Sequence, residues 1–476
     1  VRGKNRAIAP CVAPSRSGFA RPAAVVMRDL LIAALVLLPL PWVMFKQPHI
    51  GALIYFWVSY MSPHRLAYGF AYTFPFAVIV WLATMVGWAL SSEPKRIPAS
   101  NVTTLLVIFA LWISLTTATA LVPSLAVVKW DQTIKILLAA LVGLGLLQGR
   151  ERLTALAWVS AGSIAFYGVK GGLYTILTGG HGRVYGPPDT FIGDNNTAAV
   201  ALIMVVPLLG WLVTQARSRY LKWAVAGGNA LTVVAILGSY SRGAVIGLSA
   251  MALLMWLRSK HKGLVGVGGA VLIAGAVLMM PEQWFERINS TADYNEDASA
   301  SGRMDSWRHA MRVAADRPLV GGGFGTFSPE VFAVYSPDAA RWRAAHSIYF
   351  EALGDQGFIG LGIFLLIGVC AYRNCSWVRR RTAGRPELDW AHGLAGMLQA
   401  SILGYAVAGA FLSLAYFDFF YGVVIMTALA RLAVRDALAA ASAPEARDPG
   451  RAPVPRLAGR ASPQYGTPRT GLRGNY

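Results

Sequence analysis

Residues 197–214 read TAAVALIMVVPLLGWLVT, eighteen positions without one charged side chain. A helix needs about 17 to 25 predominantly apolar residues to cross a bilayer. Comparable runs recur from Leu30 almost to Arg431, so no single anchor explains them. The whole chain of 476 residues is 55% hydrophobic and only 14% charged, with a mean hydropathy of +0.49. An ordinary soluble domain carries about 25% charged residues. The expected fold class is therefore an all-α integral membrane protein.

Candidate spans fall at 30–45, 50–61, 74–90, 103–121, 133–147, 153–177, 197–214, 221–237, 244–257, 264–280, 348–372, 392–412 and 417–432. A net charge of +20 would point to nucleic acid in a soluble protein. Here the basic residues sit in short connections: Lys95-Arg96, Arg150 and Arg152, Arg217 to Lys222, Arg258 to Lys262, and Arg379 to Arg381. The positive-inside rule places these in the cytoplasm, and no nucleic-acid partner is expected. The alternating connections at 121–129, 179–194, 238–241, 281–345 and 413–416 then face the periplasm. Leu30 to Met61, interrupted by Pro39, Pro41 and Pro48, is read as one net crossing in two short pieces. The total becomes about twelve crossings with both ends cytoplasmic.

The expected organisation is an N-terminal extension at 1–26, transmembrane helices over 27–280 with a short periplasmic loop at 179–196, a periplasmic loop domain at 281–345, further transmembrane helices at 346–435 and a basic disordered tail at 436–476. Cys11, Cys370 and Cys375 are scattered, which excludes a disulfide framework.

Chemistry is sought in the two polar loops. Gly321, Gly322, Gly323 and Gly325 lack the flanking strand and Lys-Ser/Thr of a phosphate-cradling loop, so a turn is the simpler reading. Asp293, Glu296, Asp297 and Asp305 match no standard cation loop, and no metal is expected. His346 stands at the mouth of an apolar run, where a neutral imidazole is able to accept a proton. Arg242 follows Ser239-Tyr240-Ser241 at a turn where basic residues are disfavoured, and burying its guanidinium near hydrocarbon is costly unless an anion meets it. Arg183, Arg303, Arg308 and Arg312 lie on the same side. Planar guanidiniums grip phosphate oxygens in pairs, so the set points to a polyanionic headgroup. Interfacial exposure or internal ion pairing accounts for Lys129, Asp131 and Lys135. Lys170, flanked by Gly168, Gly171 and Gly172 within a span, is expected to face a wet cavity leading to the site.

Several motifs then fall in order: Ser241-Arg242-Gly243-Ala244 at a span start, Gly302-Arg303 with Trp307, Pro318 and glycines ending at Phe327, and His346-Ser347-Ile348-Tyr349 before Gly357-Phe358-Ile359-Gly360-Leu361. Over roughly residues 180–370 the chain resembles the O-antigen ligase and polymerase superfamily of envelope glycosyltransferases. The PLPW at 39–42 and MSPHRLAYGFAYTFPFA at 61–77 resemble the exosortase-associated O-glycosylation ligases. Ser347 departs from the Asn that many members carry after the His.

The resemblance implies a GT-C-like enzyme of the inner membrane, using no cofactor and no metal. Such an enzyme moves a glycan from undecaprenyl diphosphate to a lipid A-core sugar at the periplasmic face, with inversion. His346 would be the general base. Arg183, Arg242 and Arg303 would hold the diphosphate, Arg242 also stabilising charge in the transition state, with Lys170, Arg308, Arg312 and Tyr349 as secondary candidates. The alternatives are an O-antigen polymerase, a protein O-oligosaccharyltransferase and, outside enzymes, a transporter of the lipid-linked glycan.

Overall fold

A computed structural model of the chain describes residues 22–259, 261–289, 298–339 and 341–442. The described residues form helices and connections only. In chain order the α-helices are α1 (Pro22–Leu37), α2 (Leu40–Phe45), α3 (Pro48–Met61), α4 (Phe76–Leu90), α5 (Asn101–Ala118), α6 (Pro123–Leu146), α7 (Arg150–Leu177), α8 (Asn195–Gln215) and α9 (Arg219–Gly238). They continue as α10 (Arg242–Arg258), α11 (Lys262–Leu278), α12 (Glu282–Asn289), α13 (Ala298–Asp316), α14 (Pro329–Tyr335), α15 (Ile348–Thr382), α16 (Asp389–Gly409) and α17 (Asp418–Ser442). Five stretches are long and apolar enough to cross a membrane: Val25–Phe45, Asn101–Ala118, Asn195–Gln215, Arg219–Gly238 and Ile348–Thr382. Other bundle helices carry charges, as α6 does at Lys129, Asp131 and Lys135, or are shorter, as α4 is.

Helix α8 is buried along most of its length and packs on α7, α9, α10 and α16. Small residues set the closest approach. A Cβ at Gly172 of α7 would lie 2.2 Å from the Leu231 carbonyl oxygen of α9, and one at Gly168 would lie 2.4 Å from Thr232 Oγ1. Only glycine lets these two backbones meet.

The connections sort to two ends. At one end Arg152 grips Glu93 with both terminal nitrogens, at 3.0 and 2.5 Å. At that end too, Arg258 donates to Gln399 (2.8 Å) and Tyr372 (2.9 Å), and Arg150 lies over the Trp390 ring. At the opposite end the Val184 amide donates to Gly238 (3.0 Å) and the Leu121 amide to Gly322 (2.8 Å). Tyr72 donates to Asp189 there (2.5 Å). The basic turns thus gather at one end, and the polar loops, with the candidate site, gather at the other.

The segment Leu30 to Met61 corrects one expectation. Asp29, 1% exposed, accepts the Ala71 amide at 3.0 Å, so α1 is fixed at its midpoint to the connection that follows α3. Val36, Leu40, Val58, Phe76 and Val80 share one core. The segment is therefore an antiparallel pair of legs, α1–α2 and α3, instead of two short pieces running in one direction. The prolines interrupt the first leg between α1 and α2 and start α3, where a missing N–H is harmless. The buried carboxylate needs the Ala71 donor, and that bond decides the direction.

Helix α15 breaks at Gly357, whose φ of 68° and ψ of −173° are non-helical. Several of the freed polar groups are re-paired, as an apolar surrounding demands. Trp112 Nε1 donates to Gln356 O (3.1 Å), the Phe358 amide donates to Pro318 O (2.9 Å), and the Gly322 amide donates to Gly354 O (2.8 Å). The glycine run is thus a wedge against α15, consistent with a turn. A Cβ at Gly321 would fall 2.5 Å from Gly354 O.

Two outcomes follow from this architecture. With the native cysteines replaced, Met27→Cys will react with an impermeant maleimide from the same membrane face as Tyr185→Cys, and Arg217→Cys from the other; a residue 27 labelled together with 217 would refute the antiparallel pair. Gly357→Ala combines a left-handed φ with a contact of 2.3 Å to Leu319 O, and will cost at least about 1–2 kcal/mol, read as a lower melting temperature in detergent.

Candidate functional site

The turn after α9 is built by small and polar residues. Gly238 sits so close to α7 that its Cβ would lie 2.1 Å from Thr175 Oγ1. Tyr240 takes a left-handed φ of 59°, and Ser241 caps α10 by accepting the Ala244 amide at 3.3 Å. Arg242 is the first residue of α10 and half-buried. The loop before α8 is sewn to this turn. Tyr240 Oη donates to Gly180 O (2.6 Å) and Asn195 Nδ2 donates to Ser239 O (2.7 Å). The Arg183 guanidinium lies 5.9 Å from the centre of the Tyr240 ring. Arg183 therefore lies against the tyrosine that stands two residues before Arg242.

His346 reaches the same end from the long loop. Trp307 of α13 donates to Ala345 O (3.0 Å) and stacks on Phe350 of α15 with centroids 5.0 Å apart. This fixes the chain on either side of the histidine. His346 has a φ of 46°, and its amide donates to Ser413 Oγ at 2.8 Å. Burial lowers the imidazole pKa first, and the guanidiniums of Arg303 and Arg343 lower it further, against the opposing carboxylates of Asp194 and Glu351. The ring is therefore neutral at pH 7 and surrounded by charges from α13, α15, the segment before α15 and the cap of α8. Gly243, next to Arg242, closes on Phe411, whose Cβ would be 3.1 Å from an added Cβ. Phe411 and Ser413 belong to one connection, so Arg242 and His346 border the same 410–417 turn.

Sequence reasoning missed Arg343. Its guanidinium carbon would lie 2.5 Å from a Cβ on Gly302, which explains a glycine immediately before Arg303. The signal was present in Arg341-Trp342-Arg343, basic residues on the side where they are otherwise avoided. It missed Glu351 as well. Glu351 is 6% exposed; it takes Lys129 Nζ on one oxygen (2.9 Å) and the Ala415 amide on the other (2.9 Å). Lys129 also lies 3.5 Å from Asp355, and Lys135 pairs with Asp131 at 2.6 Å.

The remaining candidates fall elsewhere. Lys170 is exposed on the outer face of α7, because the flanking glycines are turned towards α9 and Val184; the expected wet cavity is not where it points. Arg308 pairs with Asp305 on its own helix (3.1 Å). Arg312 grips both oxygens of Asp338 (2.6 and 3.0 Å) and so braces the loop. Tyr349 donates to Ala406 O (2.7 Å) and lines an apolar cleft of about 240 Å³ between α15 and α16, from Ile348 to Tyr372. Asp293, Glu296 and Asp297 lie outside the described residues. Among the described residues no group of three or more His, Cys, Asp or Glu is placed to hold a metal ion.

His309, also unforeseen, is fully buried in α13. Its Nε2 is 2.9 Å from Thr326 O, which only an N–H satisfies, and its Nδ1 is 3.0 Å from Ser336 Oγ. The ring stacks on Phe332. Desolvation lowers its pKa, so it holds the loop together as a neutral imidazole.

Two family models match the chain. Residues 27–217 match a family of unknown function, and residues 227–365 match the O-antigen ligase family. No curated protein matches. The second match contains the Ser241 turn, α13, the glycine wedge and His346. An O-antigen ligase family domain is thus found at residues 227–365, and that match supports a place for this region in the O-antigen ligase superfamily.

Proposed function

We propose that the protein is an O-antigen ligase of the bacterial inner membrane, transferring a glycan from undecaprenyl diphosphate to a sugar hydroxyl of lipid A-core at the periplasmic face. The observation that carries this reading is a half-buried neutral imidazole meeting guanidiniums at the end opposite the basic turns. Residues 27–280 and 346–435 would supply the membrane helices, and 281–345 the periplasmic loop. With antiparallel legs the proposed topology has one crossing more than the twelve expected from charge, and residue 27 would lie on the periplasmic side.

In the proposed reaction His346 removes the proton of the acceptor hydroxyl as that oxygen attacks the anomeric carbon. The bond to the diphosphate breaks with inversion. Its oxygens take up the growing charge against Arg183, Arg242 and Arg303, with Arg343 as a fourth guanidinium beside the base. Preorganised charge of this kind is usually the largest contribution to such a barrier. The apolar cleft beginning at Ile348, beside His346, suits the first isoprene units of the carrier. Arg308, Arg312 and Lys170 have no direct role in this scheme.

Two measurements test it, using purified protein in detergent with an undecaprenyl-diphosphate glycan and rough lipopolysaccharide. His346→Ala will lower transfer by about 100-fold to 10,000-fold without loss of insertion; unchanged transfer rejects the base. The lowered pKa of His346 keeps the ring unprotonated at neutral pH. Transfer will therefore hold level as pH falls to about 6.5, the ordinary histidine value, and decline below it as the ring takes up a proton. A decline that begins well above that pH would contradict the assignment.

A further inference from the structure

A second cavity opens at the site end of the bundle, separated from His346 by the loop before α8. It has a volume of about 550 Å³, within the range of about 300–1,000 Å³ usual for small-molecule sites. Apart from Phe417 and Asp418, its walls come from residues 58–192, which lie inside the stretch matching a family of unknown function. That region therefore contributes a chamber beside the ligase-family residues.

The lining limits the occupant. Asp418, 7% exposed, accepts from Ser59 Oγ and from the Phe419 amide (2.8 Å). A carboxylate offers about four acceptor positions, so it retains capacity for further hydroxyl donors. Arg65 is balanced by Asp189 at 3.7 Å, and Asp189 also accepts from Tyr72. Burial pushes His64 down to about 4, so its ring adds no charge to the wall. Gln132 and Thr190 add neutral polar groups, and Phe191 and Phe417, with centroids 6.3 Å apart, add flat apolar faces.

A phosphate would meet the excess carboxylate, and Arg65, the one guanidinium among the described lining residues, is already paired. A hydrocarbon chain would offer no hydrogen-bond partner to Asp418 or Gln132, and desolvating such groups unpaired is costly. A neutral polyhydroxylated ring satisfies both conditions, since its hydroxyls donate to the carboxylate and its C–H faces rest on aromatic rings. We propose that this cavity binds the sugar residues of a saccharide substrate. Its walls connect along the chain to the surroundings of the imidazole: Ile192 is two residues from Asp194, whose carboxylate acts on His346, and Asp418 is five residues from Ser413, which holds the His346 amide. The sugar is that of the acceptor, an assignment that rests on the proposed ligase reaction; binding of sugar to the cavity does not.

The test is saturation-transfer NMR on the full chain in detergent, with two lipid-free probes: core oligosaccharide released from rough lipopolysaccharide, and free O-chain oligosaccharide. Asp418→Asn weakens a hydrogen bond to a charged group and will reduce affinity by about tenfold. Ala77→Trp fills the cavity from α4 while leaving every polar group in place, and will abolish binding. Core binding lost in Ala77→Trp supports the acceptor assignment. O-chain binding lost in its place keeps the saccharide site and moves it to the donor. No binding of either probe to the unaltered protein, or equal binding by Ala77→Trp, overturns the proposal. None of these readings needs transfer, so a failure of His346→Ala to impair ligation would remove the general-base assignment alone, and a failure of the unaltered protein to ligate would remove the enzymatic reading without touching sugar binding.

Discussion

Glu351 ties three separate pieces of the chain through one buried carboxylate. Its two oxygens accept Lys129 of α6 and the backbone amide of Ala415, while its own helix begins just after His346. A carboxylate this deep persists only when it is paired and hydrogen-bonded. Removing one member of such a pair costs about 3–5 kcal/mol, because it leaves the other charge uncompensated. The same arrangement pins the 410–417 connection, and that connection carries Ser413, the acceptor for the His346 amide. The position of the imidazole therefore depends on an ion pair it does not touch.

The second support is the interruption of α15. A continuous helix would satisfy its own backbone and leave nothing for the long loop to hold. The break at Gly357 releases backbone groups that Pro318, Gly322 and Trp112 re-pair. The loop is thereby hydrogen-bonded into the bundle at its glycine wedge, and α13 is anchored again by Trp307 at Ala345. Arg303 and Arg343 approach His346 because of these two attachments. Neutral His309 locks the same loop internally.

Charge is partitioned as well as placed. Basic turns at one end meet carboxylates, amides and indole rings, as Arg152 does at Glu93 and Arg150 at Trp390. At the site end, guanidiniums surround His346, while the neighbouring chamber at Asp418 is neutral to negative. A cationic cluster and a chamber of opposite character suit two chemically different parts of the proposed substrates, one anionic and one polyhydroxylated.

The helical membrane character was legible in apolar runs such as 197–214, because span length is fixed by hydrocarbon thickness and needs no tertiary information. The segregation of turns was legible from Lys95, Arg150, Arg258 and Arg380, since charge position along the chain alternates with the crossings. The motifs around Arg242, Arg303 and His346 marked the ligase-family region for the same reason, being local. Direction within 30–61 was not legible: one hydrogen bond from Ala71 to Asp29, forty-two residues apart, folds two pieces that read as running in one direction into antiparallel legs. Lys170 could not be oriented from sequence either, because glycines on both sides look alike until α9 is packed against one of them. Arg343, Glu351 and the Asp418 chamber owe their meaning to neighbours distant in the chain. Sequence spacing determines what a segment can bury, and only packing decides which charges end up facing one another.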